Sequence, residues 1–295
     1  MTRPIAIATL FVSTLFSLSL SSAQSTTQVE NTSVRAMSFN IRLGVAKDGD
    51  NHWEKRKETV VQTITEFAPD FVGTQETYGF QAKYIGDSLP QYTYVGRPRQ
   101  RDGKGEHCGI FFLTGRFDKL IEGHFWLSET PDEPGSKSWD SSLPRMATWL
   151  KLWDRSNKTS FYVINTHFDH RGAKAREESA TQIRKFVSGL PQESTVIVTG
   201  DFNAAVDSAP YRALFGETST TGNSPLLDSY ALTHLENNEP SGTFNGFKGT
   251  ADGARIDWVA VSRDVSIESA NIDRISFDGR YPSDHFPVTA VLNLK

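Results

Sequence analysis

Short runs of apolar residues along the chain predict strands more often than helices. β-Branched residues fill the run 194–199, and apolar and polar positions alternate across 147–153, as in a half-buried strand. Helical spacing of apolar positions occurs in 53–68, which ends before Pro69, and in 173–187. Further strands are predicted at 34–41, 71–74, 92–95, 108–113, 117–126, 161–166, 256–261 and 288–292, and a short helix at 211–215. This pattern predicts an α+β sandwich in one domain, residues 34–295.

The N-terminal segment differs from the rest of the chain. Arg3 carries a positive charge, the run from Ile5 to Leu20 is uncharged and apolar to hydroxylic, and small residues follow through Ala23. This layout predicts a secretory signal peptide over 1–23, with a polar, flexible lead-in over 24–33. An uncleaved anchor is the alternative, but the run is short for a span and rich in Ser and Thr. We therefore expect a secreted or periplasmic protein with no transmembrane segment in the mature chain.

Composition limits the classes of function. The mature chain of about 270 residues is long enough for one large core. Cys108 is the single cysteine, so no intrachain disulfide forms. The formal net charge of −4 becomes −5 once Arg3 is removed, which argues against sequence-independent binding of nucleic acid on a basic surface. A nuclease whose bound cations offset that charge remains compatible with it. The chain is expected to be a monomer.

The segment Gly200-Asp201-Phe202-Asn203 follows the buried strand predicted at 194–199. Gly200 is expected to let the backbone turn sharply as the strand ends. Asp201 and Asn203 would then project from the carboxyl end of the strand, where a carboxylate and an amide suit a metal ion, an attacking water or a phosphoryl oxygen. Because Gly, Asp and Asn also favour ordinary turns, this segment alone is a weak signal.

Other polar residues also stand where predicted strands end. Taken singly, most of them fit an edge charge, a turn residue or a structural histidine. Asp257 differs, because it lies within an apolar strand and a buried charge needs a partner. Their joint occurrence indicates a site. The set consists of Asn40, Gln75-Glu76, Glu106, Asn165-Thr166-His167, Ile256-Asp257 and Ser283-Asp284-His285.

In this order, these residues and Gly-Asp-Phe-Asn resemble the endonuclease/exonuclease/phosphatase superfamily over essentially the whole mature chain. The resemblance implies a deoxyribonuclease I-like fold: a four-layer sandwich of two packed mixed β-sheets flanked by helices. It places the active site where loops from both sheets meet. The segments 139–149 and 165–172 resemble a secreted or exported branch of hydrolases whose substrate is unsettled.

The resemblance also implies a metal and an attacking water. Glu76 would bind Mg²⁺ or Mn²⁺, with Asn40 and Asp284 nearby, and Asn40 would also contact the substrate. Hard oxygen ligands suit both ions. The metal would polarise a phosphoryl oxygen and offset the developing charge. Asp201 and Asn203 would position and activate the water.

Two histidines complete the implied machinery. His285 would contact the phosphate or transfer a proton, with Asp257 orienting and charging its imidazole. His167 would hydrogen-bond the phosphate from the other side, and Glu106 resembles the acid that holds this second histidine in place. The implied reaction is in-line hydrolysis of a phosphoester without a covalent enzyme intermediate.

Two other functions fit the sequence less well than a phosphoesterase. His167-Phe168-Asp169-His170 matches the second half of a metallo-β-lactamase-type zinc motif, but Asn165 stands where its first histidine belongs. No second cluster among the seven histidines supplies the missing ligands. A secreted binding protein without catalysis would leave gaps in the catalytic set, and this sequence shows none.

The sequence leaves the substrate open. The basic loop from Arg97 to Lys104, including Arg101, is either a site for a second phosphate or polyanion, or a solvated loop. Arg145 either faces the site or lies on the surface. We expect a phosphoester substrate and favour a phosphodiester, with nucleic acid a possible partner. The alternatives are a phosphomonoester of a sugar or inositol, and a lipid phosphodiester cleaved as by a sphingomyelinase.

The tryptophans allow two interpretations. Trp126, Trp139 and Trp149 form either a stacking wall for a base or sugar, or part of the core. Because large aromatic side chains mainly bury, the core is the expected place for most of them.

Overall fold

Two six-stranded mixed sheets with flanking helices form the part of the chain that the structure describes, residues 1–2, 32–217, 223–236 and 239–295 of a computed structural model. The strands are β1 Val34–Asn40, β2 Phe71–Thr77, β3 Tyr92–Val95, β4 His107–Leu113, β5 Phe117–Trp126, β6 Met146–Asp154, β7 Thr159–His167, β8 Thr195–Asp201, β9 Leu226–Asp228, β10 Asp257–Ser262, β11 Ser266–Ile272 and β12 Val288–Asn293. The α-helices are α1 Lys57–Phe67, α2 Gly79–Ser88, α3 Ala173–Ser188, α4 Ala209–Phe215 and α5 Ser229–Thr233. Short 3₁₀ helices occupy Gly49–Asn51 and Trp53–Lys55.

The strand order explains where a site can form. The first sheet runs β11-β12-β1-β2-β4-β3 and the second β5-β6-β7-β8-β10-β9. The pairs β1–β2 and β7–β8 are parallel, and the other pairs are antiparallel. A parallel pair needs a crossover connection, which α1 and α3 supply. The carboxyl ends of β1, β2, β7 and β8 carry most of the polar residues identified in the sequence.

The hydrophobic core confirms the four-layer sandwich. One buried cluster joins the inner faces of both sheets, where the rings of Phe71 and Phe161 lie 6.2 Å apart. A second cluster packs α1 and α2 on the first sheet and includes Val60. A third packs α3 and α4 on the second sheet and includes Ile183. The order of layers is therefore helix, sheet, sheet, helix.

Several elements escaped the sequence pattern. The helix α2 contains Gly79 and Gly86, which weaken its helical signal, and the backbone and side chains of Tyr78 and Gln81 form its capping box. The strand β11 is a sheet edge with alternating exposed residues and few apolar ones. The short elements β9 and α5 were also not predicted. The helix predicted from residue 53 begins at Lys57, after a 3₁₀ turn.

Gly200 has a different role from the predicted one. It lies inside β8, and the left-handed backbone comes at Asn203, with φ of 47°. A Cβ atom on Gly200 would lie 2.8 Å from the carbonyl oxygen of Thr166 on β7. The glycine therefore permits the close approach of the neighbouring strand, and the turn follows three residues later.

We expect Gly200→Ala to destabilise the fold by about 1–3 kcal/mol, because the added methyl group overpacks a buried strand pair. Equilibrium urea unfolding measures the difference. Gly86→Ala is the matched control, since nothing lies within 4 Å of a Cβ there and the site is helical. It should stabilise the protein by roughly 0.5–1 kcal/mol. Equal stabilities of wild type and Gly200→Ala would contradict this account of the glycine.

The N-terminal predictions remain outside this description. The predicted signal peptide and most of the lead-in fall on residues 3–31, outside the described residues. Asn31–Lys295 form one compact unit. None of the helices in the described part of the chain is both long enough and apolar enough to span a membrane.

Candidate active site

A cavity of about 680 Å³ opens where the strand ends of both sheets meet. Its walls carry most of the residues that the sequence predicted: Glu76, Glu106, Arg145, His167, Asp201, Asn203, Asp284 and His285. Asn40 and Asp257 are buried directly behind them and hydrogen-bond to Asp201 and His285. Arg101 neither lines the cavity nor lies directly behind its walls.

Asp201 is the centre of the site. Its Oδ2 accepts a hydrogen bond from Asn40 Nδ2 at 2.9 Å and lies 3.3 Å from Nε2 of His167 and 3.9 Å from Nε2 of His285. Burial and the charge of Asp257 raise the pKa of Asp201 to about 7, against the opposing effects of His285 and Asn40. A carboxylate with such a pKa is suited to accept a proton near neutral pH.

His285 is held as a cation by Asp257. The Nδ1 of His285 lies 2.8 Å from Oδ2 of Asp257, and both side chains are buried. Burial alone would lower the pKa of His285, but the charges of Asp257 and Asp201 outweigh it and raise that pKa well above its ordinary value. The ring of Phe244 meets the imidazole edge to face at 5.2 Å. The Nε2 side of a charged imidazole therefore faces Asp201.

His167 is held in the opposite state. Asn203 Nδ2 donates to His167 Nε2 at 3.0 Å and to the Phe168 carbonyl at 3.2 Å. Burial and the neighbouring charges of Arg145 and Arg99 lower the pKa of His167 well below its ordinary value. A charged and a neutral imidazole, those of His285 and His167, therefore lie on either side of Asp201.

Glu76 enters the cavity from a distorted strand. Its φ of 59° places it in the left-handed region, within an irregularity in the pairing of β2 with β4. Oε1 accepts from Asn40 Nδ2 at 3.2 Å, and Oε2 accepts from the Leu43 backbone at 2.9 Å. Because a glutamate is costly in this conformation, such strain typically marks a functional position.

A divalent cation is compatible with this donor set. One oxygen each of Glu76 and Asp201 and one nitrogen of His167 lie within 4.8 Å of one another. Carboxylate oxygens suit Mg²⁺ and Mn²⁺, and an imidazole also suits Mn²⁺. Of the other expected ligands, Asn40 turns its amide nitrogen toward the carboxylates, because its Oδ1 accepts from the backbone of Arg42 at 3.0 Å.

Arg42 is a member of the site that the sequence did not indicate. Its guanidinium lies between Glu76, at 3.9 Å, and Asp284, at 3.5 Å, and pairs with Asp48 at 3.0 Å. Asp284, expected near the metal, is therefore next to a cation of the chain itself. The positive φ of 56° that directs Arg42 there has no signature in the sequence, since arginine rarely adopts it.

Glu106 does not hold His167 as expected. Both of its carboxylate oxygens accept from Arg99, each at 2.8 Å. The two residues are paired across a hairpin, where Arg99 N donates to the Glu106 carbonyl at 3.1 Å. The positive charge nearest to the Glu106 carboxylate is therefore that of its hairpin neighbour, Arg99. His167 is held by Asn203 instead, and Glu106 orients Arg99.

Two buried arginines form the cationic end of the cavity. The side chains of Arg99 and Arg145 are 7% and 4% exposed. Arg99 is paired with Glu106, and Nε of Arg145 lies 3.6 Å from Asp169 Oδ2, while Nη2 of Arg145 lies 3.0 Å from Nδ1 of His170. Because both guanidinium groups line the cavity, they can bind an anion there.

The structure corrects the choice of arginine in the basic loop. The side chain of Arg101 is 76% exposed and pairs with Glu133 at 3.6 Å. Arg99, two residues earlier, lines the cavity instead. Arg99 N donates to the Glu106 carbonyl before the turn closed by Gln100 and Lys104, and Arg101 lies in that turn. The spacing of charges along the loop did not contain this information.

The profile of the Endonuclease/Exonuclease/phosphatase family matches residues 37–285. The chain belongs to this family. Its members are phosphoester hydrolases that depend on a divalent metal. The deoxyribonuclease I-like fold predicted from the sequence is thereby confirmed.

Solved structures resemble the chain over most of its length. A family member from Bacteroides thetaiotaomicron is 34% identical, with a TM-score of 0.80, covering 90% of this chain and 98% of that one. A mannosyl-6-phosphatase from the same organism is 33% identical, with a TM-score of 0.79, covering 88% and 99%. Among curated relatives, Nocturnin of Drosophila melanogaster is 28% identical over 214 residues, 64% of this chain and 31% of Nocturnin. The chain spans about a third of that relative.

Proposed function

We propose that the protein is an exported, divalent-cation-dependent phosphomonoesterase. The observation that carries the proposal is the pair of buried guanidinium groups, Arg99 and Arg145, that line the cavity together with Asp201 and His285. Export is supported by the N-terminal sequence pattern alone.

The arginine pair favours a monoester over a diester. A phosphomonoester presents three nonbridging oxygens and up to two negative charges, whereas a diester presents two such oxygens and one charge. Guanidinium groups bind phosphate oxygens with paired donors, and a low-dielectric wall strengthens the attraction. Two guanidinium groups in one wall, Arg99 and Arg145, therefore match the more highly charged ester. This reverses the preference drawn from the sequence.

The basic loop offers little support for a polyanion. Arg101 and Lys104 are exposed and pair with Glu133 and Asp102, at 3.6 and 3.3 Å. Exposed cations already paired with acids add little to phosphate binding. The net charge of −4 also argues against a long nucleic acid track.

A phosphorylated sugar is the leading substrate class. The mannosyl-6-phosphatase is a relative of similar length and 33% identity, and its name gives a sugar phosphate as substrate. Phe244 is 50% exposed and lines the cavity beside His285, so it offers an apolar face to the ring of a leaving group.

The residues divide the chemistry between them. Asp201 accepts a proton from the attacking water as the new oxygen–phosphorus bond forms. His285 donates its Nε2 proton to the oxygen of the breaking ester bond, so that the leaving group departs as an alcohol, while Asp257 holds the ring. Arg99 and Arg145 bind nonbridging oxygens, and Asn203 keeps His167 in place. A divalent cation held by Glu76, with Asp201 and His167 in reach, would polarise a phosphoryl oxygen.

A substrate panel tests this proposal. Mannose 6-phosphate, inositol 1-phosphate and p-nitrophenyl phosphate represent monoesters; bis-p-nitrophenyl phosphate, plasmid DNA, RNA and sphingomyelin represent diesters. With Mg²⁺ or Mn²⁺, we expect release of inorganic phosphate from sugar phosphates and little cleavage of the diesters. Cleavage of diesters alone would contradict the proposal.

Arg145→Met should lower kcat/KM for the best monoester by about 10- to 150-fold, because hydrogen bonds to charged groups contribute roughly 1.5–3 kcal/mol. The loss should be smaller for bis-p-nitrophenyl phosphate, which carries one charge. Steady-state kinetics on both substrates measure it. Arg101→Met is the matched control and should stay within about twofold of wild type, since exposed ion pairs contribute little. Equal losses in the two variants would contradict the anion site.

A further inference from the structure

A second cleft, which shares no lining residue with the catalytic cavity, lies beside α3 and the antiparallel strand pair β5 and β6. Its volume is about 870 Å³, within the range typical of small-molecule sites. Residues from β5, β6, α3 and the loop 128–139 line it. None of its lining residues belongs to the catalytic set.

One wall of this cleft is a packed aromatic surface. Trp149 is half-buried, and its ring lies 5.5 Å from Phe186, which in turn lies 4.9 Å from Phe125. Gly123 on the adjacent strand lets the indole lie flat, because a Cβ there would be 2.4 Å from the Trp149 ring. The indole is therefore fixed against the sheet with part of its surface facing the cleft.

Trp139 forms a second aromatic surface, on strained backbone. Its φ of 56° is rare for a bulky residue. The residues on either side of it are anchored: Ser138 Oγ accepts from Glu129 N at 2.9 Å, and the Asp140 carboxylate accepts from Ala175 N at 2.7 Å. Strain that the surroundings maintain in this way is frequent at binding sites.

The polar groups of the cleft favour a neutral ligand with hydroxyl groups. Glu129, Asp132 and Glu178 line it together with one cation, Lys185. Three carboxylates repel phosphate but accept hydrogen bonds from hydroxyls. His124 adds a polar ring, and its Nδ1 lies 3.0 Å from Thr148 Oγ1.

We propose that this cleft binds a neutral saccharide, with its ring faces stacked on Trp139 and Trp149 and its hydroxyls bonded to the carboxylates. A sugar ring has apolar faces and an edge of hydroxyl groups. The aromatic walls of the cleft match the faces, and its carboxylates match the hydroxyl groups. The loop that carries Trp139 continues to Leu143 and Arg145 in the catalytic cavity. Binding at this cleft does not require the phosphoesterase activity, so each is tested by itself.

Isothermal titration calorimetry tests the cleft with neutral hexasaccharides of mannose, glucose, xylose and N-acetylglucosamine. The mature protein is used in EDTA, which removes metal-dependent turnover from the readout. We expect at least one saccharide to bind, inorganic phosphate not to compete, and Trp139→Ala to weaken binding at least tenfold. Glu129→Gln should also weaken it, and this exposed variant preserves the fold.

Trp153→Ala is the matched control. Trp153 lies on the same strand as Trp149, is 37% exposed, and does not line the cleft, so this variant should bind like wild type. Phosphate release from p-nitrophenyl phosphate should stay within twofold of wild type in all three variants. Absence of binding to every saccharide, or equal binding by Trp139→Ala and wild type, would overturn the proposal. If the wild-type protein has no phosphatase activity, that result counts against the proposed function and leaves the saccharide-binding cleft unaffected.

Discussion

Replacing Asp201 by asparagine is expected to lower kcat for phosphomonoester hydrolysis by about 10²–10⁴-fold, the usual contribution of a positioned acid or base. The amide keeps the size of the side chain but cannot accept a proton from water. It also removes one of the negative charges that keep His285 protonated. Because the arginines bind the substrate separately, KM should change much less than kcat.

The measurement is steady-state phosphate release at saturating substrate, after circular dichroism shows an unchanged fold. Asp118→Asn is the control. Asp118 lies on β5, is exposed, pairs with Arg155 and does not line the catalytic cavity. It should retain full activity. More than a tenth of wild-type kcat in Asp201→Asn would contradict the role of Asp201 as the proton acceptor.

His285→Gln should reduce kcat by a similar factor, about 10²–10⁴. Glutamine cannot carry the charge or the proton that the imidazole presents to the cavity. Asp257→Asn should be nearly as harmful, because it removes the partner that orients and charges the ring at 2.8 Å. Residues that act as a unit give non-additive losses, so the double variant should be no worse than His285→Gln.

The same kinetic assay compares all three variants with His234→Gln, whose histidine stacks on Tyr230 outside the catalytic cavity. That control should match wild type. If the losses of Asp257→Asn and His285→Gln multiply in the double variant, the two residues act independently and the assigned pairing is wrong.

The sequence predicted those parts of the site that lie on regular strands. Buried runs such as 194–199 indicate which residues come at the carboxyl end of a strand, so the sequence predicts His167 and Asp201 as site residues. Asp257 was also recognisable, because a carboxylate inside an apolar strand needs a partner. The sandwich itself followed from the number of strands.

Turn geometry and tertiary packing decided the rest. Arg42 reaches the site through a positive φ, and Arg99 faces the cavity because the turn after it reverses the chain. Neither feature changes the pattern of polar and apolar residues. The sequence predicted that Glu106 holds His167, but Arg99 is closer to Glu106. The hairpin that brings Arg99 and Glu106 together is not visible in the sequence pattern either. The helix α2 was missed because its glycines hide the helical period.

Turnover is expected to depend on a divalent cation held at Glu76. The most direct test is the rate of phosphate release from mannose 6-phosphate as a function of Mg²⁺ or Mn²⁺ concentration, after dialysis against EDTA, for wild type and Glu76→Gln. We predict no turnover without metal, full recovery of wild type on adding either ion, and a metal requirement at least tenfold higher in Glu76→Gln. Turnover that persists in EDTA, or an unchanged metal requirement in Glu76→Gln, would contradict it.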